Sequence, residues 1–365
     1  MRAAFNILVL LLVFATAPVS APSTWATEPS EDSCGATGSG NKSVANALSA
    51  ISGTLCENDK LVLQGTGAIQ DLQIVSLPAL DSRGMAGTVI RQFQKNGVRF
   101  AVFLDEENFS TVLLPLSCLM LQGGRPVAQA PSSFSSALDY ATVNPLNLHQ
   151  DGYNDGVTQA RIRTDSKFLT VDLCPAGSNE PLTRQIFLDA EKTHPGGKVP
   201  IGVSVTGKWM ENHPGDLAWL KEQERQGKLA ITWINHTYDH AYKETRQDGR
   251  EVRTLMLEPG KSFEKEVLET ERTMIQNGLT PSVFFRFPGL VSSKPLMEDL
   301  RKMSLIPLGS NAWLALGADQ LPKDGSIILV HGNGHEESGV RILSTYIQHH
   351  KELRLGPASG LFLQE

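Results

Sequence analysis

Five strongly polar side chains stand at the ends of apolar runs. Asp172 lies in Thr170-Val-Asp-Leu-Cys-Pro175, and His236 and His240 lie in Asn235-His-Thr-Tyr-Asp-His240. Arg286 follows Phe284-Phe285, and His331 opens His331-Gly-Asn-Gly-His335. His236 and His240 are four residues apart. If that segment turns helically, both imidazoles share one face and can share one metal ion. Ordinary surface or capping histidines give the same spacing, and His194, His213, His349 and His350 are of that kind. What favours the metal is the company of a carboxylate, an arginine and a third histidine. Asp172 sits between Val171 and Leu173, apolar surroundings that raise a carboxyl pKa toward general-base range. Its alternative role is to cap a helix beginning near Pro181. Arg286 either pairs with Asp172 and orients it or belongs to a structural ion pair. His331 opens a glycine-rich loop where backbone can approach a ligand closely, unless it is a core histidine bonded to a carbonyl.

The elements that must hold these groups are strands alternating with amphipathic helices from about residue 166. Strand-like runs are Phe168–Leu173, Pro200–Val205, Ala230–Ile234, Ser282–Arg286, Leu305–Gly309, Ser326–Val330 and Leu353–Leu355. Helical patterns fall between them at Leu182–Lys192, Gly215–Arg225, Phe263–Asn277, Lys294–Met303 and Val340–Lys351. Such alternation builds a parallel α/β sheet, open or closed, whose chemistry sits at the carboxyl ends of its strands. The polar residues above lie at those ends.

The order Thr-x-Asp, His-Thr-x-x-His, Arg-x-Pro and Leu-x-His resembles the polysaccharide deacetylases of the NodB-homology type, carbohydrate esterase family 4. Gly207-Lys-Trp-Met-Glu-Asn-His-Pro214 is similar to that family's segment after the second strand. The resemblance covers roughly residues 166–365. It implies a distorted (β/α) barrel of seven or eight parallel strands that hydrolyses N-acetyl or O-acetyl groups on glycans such as chitin-like or peptidoglycan chains. It also implies a divalent metal, zinc foremost, with cobalt or nickel as alternatives. Carried over by position, His236 and His240 are metal ligands, Asp172 the general base, Arg286 its orienting partner and His331 the general acid. Trp313 and Tyr238 are the corresponding candidates for substrate contact.

One position departs from the pattern. The family's first motif has a second aspartate as third metal ligand, and here Leu173 stands there. Three accounts are open: Asp172 itself binds the metal, Cys174 supplies a thiolate if no disulfide holds it, or the protein binds glycan without cleaving it. Asp239 is a poorer substitute, because its neighbour His240 must point its own way. A peptide or small-amide amidase would use the same catalytic logic with another pocket. No Gly-x-Ser-x-Gly elbow and no Walker motif occurs, which disfavours serine hydrolysis and phosphoryl transfer.

Composition agrees with a globular protein: of 365 residues, 41% are hydrophobic and 20% charged. The net charge of −6 argues against nucleic acid as a partner. Arg2, the apolar run Ile7–Phe14 and small residues to Ala26 make a secretory signal over residues 1–26, with Ala21 as the second cleavage candidate. Its apolar run is far short of the ~20 residues a membrane span needs. The expectation is an exported protein, periplasmic or secreted. Residues 27–121 read as a small, mostly β N-terminal domain of unassigned role, and 122–165 as linker and lead-in. Within the former, a helical pattern covers Val44–Leu55. Strand-like runs cover Lys60–Gln64, Gln73–Leu77, Thr88–Phe93, Val98–Leu104 and Thr111–Leu121. Four cysteines in an oxidising compartment permit two disulfides, and Cys34–Cys56, closing a short loop, is the preferred pair.

Overall fold

The run Phe168-Leu-Thr-Val-Asp-Leu173 is buried along its whole length, as a strand covered on both faces must be. In the computed structural model of the protein, such runs form the centre of a seven-stranded sheet. The structure describes residues 67–122, 131–143, 153–247, 250–255, 257 and 259–364, with Cys56, Asp59, Val62 and Leu63. The secretory signal, the helical pattern at Val44–Leu55 and Cys34 lie outside the described residues. Val62 and Leu63, inside a run read as a strand, are helical.

An antiparallel sheet comes first: β1 (Gln70–Asp81), β2 (Ala86–Lys95), β3 (Val98–Asp105), β4 (Ser110–Pro115) and β5 (Leu119–Leu121), in the order β4-β3-β2-β1-β5. The run expected as one strand over Thr111–Leu121 is broken by a 3₁₀ turn at Leu116–Cys118, which carries the chain to the far edge of the sheet. Helix α1 (Ser133–Val143) follows, inside the stretch read as linker. Its Phe134, Ala137, Leu138 and Ala141 are buried in one cluster with Phe93 and Phe100 of the antiparallel sheet and Phe168 and Phe284 of the next. The two sheets therefore share a core, and all described residues belong to one compact unit.

The second sheet starts with β6 (Phe168–Leu173), α2 (Gln185–Glu191), β7 (Val199–Val205), the helices α3 (Gly207–Asn212) and α4 (Pro214–Arg225), and β8 (Leu229–Asn235). A hairpin of β9 (Tyr242–Gln247) and β10 (Arg250–Leu255) intervenes before α5 (Phe263–Gln276). Then come β11 (Phe284–Phe285), α6 (Lys294–Lys302), β12 (Ile306–Pro307), β13 (Ala312–Trp313), β14 (Ile327–His331) and α7 (Glu337–His349). The strand order is β12-β11-β8-β7-β6-β14-β13, all parallel, which makes a curled, distorted barrel of seven strands. Leu353–Leu355, expected as a strand, contributes a single bridge from Leu355 to Lys167.

Side-chain caps start the helices that flank the site: Ser262 Oγ accepts from Lys265 N on α5, and Ser293 Oγ accepts from Leu296 N on α6. Such caps are worth about 1 kcal/mol each. Strand register sets the chemistry. Asp172 pairs with His331 on one side and Ser204 on the other, while Asn235 pairs with Val205 and Phe285. The carboxyl ends of β6, β7, β8, β11 and β14 therefore finish level, at one mouth.

One cysteine pairing differs from expectation. Cys56 is bonded to Cys118, 62 residues on, and not to Cys34. Pairing of β5 with β1 brings the 3₁₀ turn at Cys118 against the segment carrying Cys56, where Ser117 Oγ also donates to Asp59 Oδ2 at 2.6 Å. Loop-closure entropy rises only slowly with loop length, so a short loop is a weak reason to prefer a partner.

Candidate functional site

β6 delivers two groups to the mouth. Its alternation sends Val171 and Leu173 into the apolar core and turns Thr170, Asp172 and, just beyond the strand, Cys174 toward the barrel interior. The carbonyls at this end are all engaged. Gly332 N donates to Asp172 O at 3.0 Å, Thr206 Oγ1 to Leu173 O at 3.1 Å, and Asn333 Nδ2 to Cys174 O at 3.1 Å.

The histidine segment after β8 is not helical. Thr237 and His240 have φ of 65° and 56°, and the segment is an irregular loop. Thr237 N donates to Asn235 Oδ1 at 3.0 Å and His240 N to Thr237 Oγ1 at 3.1 Å. From outside, the Glu266 carboxylate of α5 accepts from Tyr238 N at 3.1 Å and Asp239 N at 2.7 Å. Asp239 is drawn to Lys208 at 2.7 Å and to Lys261. Gly207 permits this packing, because a Cβ there would overlap the Tyr238 ring. The loop still brings the two imidazoles together, with ring centroids 4.7 Å apart and nearly perpendicular.

Cys174 Sγ lies 3.3 Å from His240 Nε2 and 3.7 Å from His236 Nε2. His236 Nδ1 faces Arg286 O at 2.8 Å, so that Nδ1–H donates there and Nε2 presents its lone pair to the mouth. Cys174, His236 and His240 offer three donor atoms within 4.8 Å of one another. One sulfur and two imidazole nitrogens suit a borderline transition metal such as zinc, so the residues present fit the group that the sequence implied.

Asp172 Oδ2 is 3.5 Å from Arg286 Nη1 and 3.9 Å from His236 Nε2. Arg286 is fully buried and donates Nη2 to Thr170 Oγ1 at 3.0 Å. The expectation that apolar neighbours raise the Asp172 pKa does not hold. Burial does push it up, but Arg286, His236 and His331 together outweigh burial and hold the carboxyl below its ordinary value. Asp172 also caps no helix: α2 begins at Gln185 with no side-chain cap. Burial likewise opposes ionisation of Cys174, yet the histidines around it bring the thiol well below the usual range. For His331 burial works downward, and contacts with Cys174 and Glu336 carry its pKa well above the ordinary value.

Glu336 was not singled out from the sequence. Its Oε2 accepts from His331 Nδ1 at 2.7 Å and from Trp313 Nε1 at 2.8 Å. It stands just before α7 with φ of 56°, a left-handed conformation unfavourable for a side chain of this kind. Nothing in the run His335-Glu336-Glu337 shows that twist. With Nδ1–H committed to Glu336, His331 Nε2 is left for the mouth.

These groups line a cavity of about 600 Å³. Asp172, Cys174, His236, His240, Trp313 and His331 all face it, while Tyr242, Leu290 and Leu316 form apolar wall. Tyr238, expected to touch substrate, does not line it; its hydroxyl turns away and donates to Glu211 Oε1 at 2.6 Å. Tyr242 takes the aromatic place instead, lying over Gly289, where a Cβ would come within 2.7 Å of its ring. Among the described residues, no helix is long and apolar enough to cross a membrane.

No known protein-family profile matches the chain. Among solved structures the chain is similar to a peptidoglycan N-acetylglucosamine deacetylase, at 18% identity over 58% of this chain and 94% of that one, with a TM-score of 0.42. It is similar to a family 4 carbohydrate esterase from Bacillus anthracis, at 18% identity over 59% and 88% of the two chains, with a TM-score of 0.40. It is similar also to a pseudoenzyme of that esterase family from Bacillus anthracis, at 12% identity over 57% and 69%, with a TM-score of 0.40.

Proposed function

We propose that this chain is an exported, metal-dependent hydrolase that removes acetyl groups from N-acetylated or O-acetylated polysaccharide. The observation that carries this reading is the meeting of three kinds of group at one mouth. A donor set for a metal, a buried carboxylate beside an arginine and a histidine bonded to Glu336 share one cavity.

His236 and His240 are the imidazole donors. When bound, a divalent metal there supplies Lewis acidity, polarising a carbonyl and making water a stronger acid. Asp172, held ionised by Arg286, takes the proton from the attacking water. His331 gives its Nε2 proton to the departing amine or alkoxide, with Glu336 fixing the ring. Two roles need two groups whose pKa values are pushed apart, and the carboxylate is pushed down while the histidine is pushed up. Trp313, Tyr242 and Leu316 offer flat apolar wall on which a pyranose ring can rest.

The test begins with metal content of the purified mature protein, wild type against a His236→Ala/His240→Ala double variant, followed by acetate release from chitin and peptidoglycan fragments. About one metal per chain, lost in the variant together with acetate release, is the expected result. A second reading rests on Leu173, which is wholly buried and offers no ligand where the family has one. It makes the protein a silent glycan binder, and oligosaccharide binding indifferent to EDTA, with no acetate released, selects it.

A further inference from the structure

We propose that Cys174, as a thiolate, is the third protein ligand of the metal and that Asp172 stays outside the coordination sphere. This rests on the metal-binding reading above and assigns the ligand that Leu173 cannot provide.

The distances discriminate between the two candidates. Zinc–sulfur bonds of about 2.3 Å and zinc–nitrogen bonds of about 2.0–2.1 Å, opened at a tetrahedral angle, place sulfur and nitrogen about 3.5 Å apart. Cys174 Sγ lies 3.3 and 3.7 Å from the two Nε2 atoms, which brackets that separation. An oxygen ligand would sit about 3.4 Å from each nitrogen. Asp172 Oδ2 is 3.9 Å from His236 Nε2, and Asp172 does not join the mutual group formed with His240. Arg286 also stands at 3.5 Å from the same oxygen and competes for its charge.

Backbone geometry explains why the donor is Cys174, two residues past Asp172, and not the residue at 173. Along β6 the side chains alternate, so the residue after Asp172 faces the core, where Leu173 packs against Gly332. The next residue returns to the side of Asp172. Cys174 is held there: it is not in a disulfide, it is buried, and Asn333 fixes its carbonyl. A sulfur donor favours zinc, cobalt or cadmium over magnesium, calcium or manganese.

Cobalt titration of the metal-free full-length protein tests this without reference to hydrolysis. Wild type should develop a thiolate-to-cobalt charge-transfer band in the near ultraviolet. Cys174→Ser should lose that band and lose zinc affinity by more than the about 10–100-fold that removal of a supporting residue costs. Asp172→Asn should keep both. Cadmium NMR of the wild type, which needs no variant to fold, should report one sulfur ligand. Cobalt bound with no charge-transfer band, or a band that survives in Cys174→Ser, overturns the ligand assignment and leaves the hydrolase reading standing. No cobalt bound by wild type overturns both.

Discussion

Among the described residues lie two buried arginine–carboxylate pairs, and they are built in opposite ways. Arg91 of β2 meets Glu271 of α5 across the join between the two sheets. Its Nε and Nη2 reach the two carboxylate oxygens at 2.7 and 2.9 Å, while Nη1 donates to Ile90 O and Met303 O at 2.8 Å each. This is the fork-to-fork arrangement in which each charge satisfies the other. Arg286 and Asp172 are as deeply buried, yet they stand 3.5 Å apart, and Arg286 Nε and Nη1 and Asp172 Oδ1 have no hydrogen-bond partner among the described residues. Unsatisfied polar atoms at this depth are costly. A pair that closes on itself ties elements together, whereas a pair left short of closing, with its aspartate on the wall of a cavity, is arranged for something else to bind or react there.

The sharpest break between the two pairs comes from removing one carboxylate from each. Asp172→Asn should lower kcat/KM by about 10²–10⁴-fold, the range for a general base, with metal content unchanged. Glu271→Ala should cost about 3–5 kcal/mol of stability, because it strands a buried guanidinium. Activity of the folded fraction should persist in that variant. Urea unfolding and acetate release, measured on both variants, give the four numbers required. Equal stability losses would erase the distinction between clamp and open pair.

Glu336 sharpens the comparison at smaller scale. It holds His331 and Trp313 at once, from a backbone conformation that costs about 1–3 kcal/mol. Glu336→Gln exchanges a charge-assisted hydrogen bond for a neutral one. Such bonds are worth about 1.5–3 kcal/mol, so kcat should fall about 10- to 150-fold with KM and metal content held. Glu336→Asp should restore part of the loss if orientation of the imidazole is the cause.

What the sequence disclosed follows from burial and period. Phe168–Leu173 and Ala230–Ile234 were legible as short, largely apolar runs, the first of them buried along its whole length, and side chains just beyond their ends line one cavity. The two-residue strands β11, β12 and β13 are too short to carry a pattern of their own. The hairpin after His240 was missed because Lys243-Glu-Thr-Arg-Gln247 and Arg250-Glu-Val-Arg-Thr254 are charged ribbons with little apolar signal. Spacing brought the two imidazoles together only on the condition of a helical turn, and the positive φ of Thr237 and His240 comes with side-chain bonds to Asn235 and Thr237 that spacing does not reveal. Burial of Asp172 was legible from Val171 and Leu173. The arginine and two histidines that reverse its effect arrive from β11, β8 and β14 and became visible only with the strand order. Cys118 was hidden for the same reason, since its nearness to Cys56 depends on β5 crossing to the edge beside β1.

A third ion pair marks the weak end of the comparison. Asp189 of α2 accepts from Lys192 Nζ at 2.5 Å, Ser344 Oγ at 2.6 Å and Gln185 Nε2 at 2.8 Å, and the Lys192 side chain is 60% exposed. Burial pushes the Asp189 pKa up, but these three donors outweigh it and hold the carboxyl below its ordinary 3.8. A carboxyl depressed on folding stabilises the protein above its unfolded pKa, and that contribution fades as pH falls through the folded value. Asp189→Asn should therefore melt below wild type at neutral pH, by less than about 1 kcal/mol because water screens the lysine. The gap should narrow as the pH drops below about 4. A gap that stays constant with pH would mean that folding does not hold the Asp189 carboxyl below its ordinary value. The charge of Lys192 would then add nothing, which is what exposure does to an ion pair and what burial at Arg91 and Arg286 prevents.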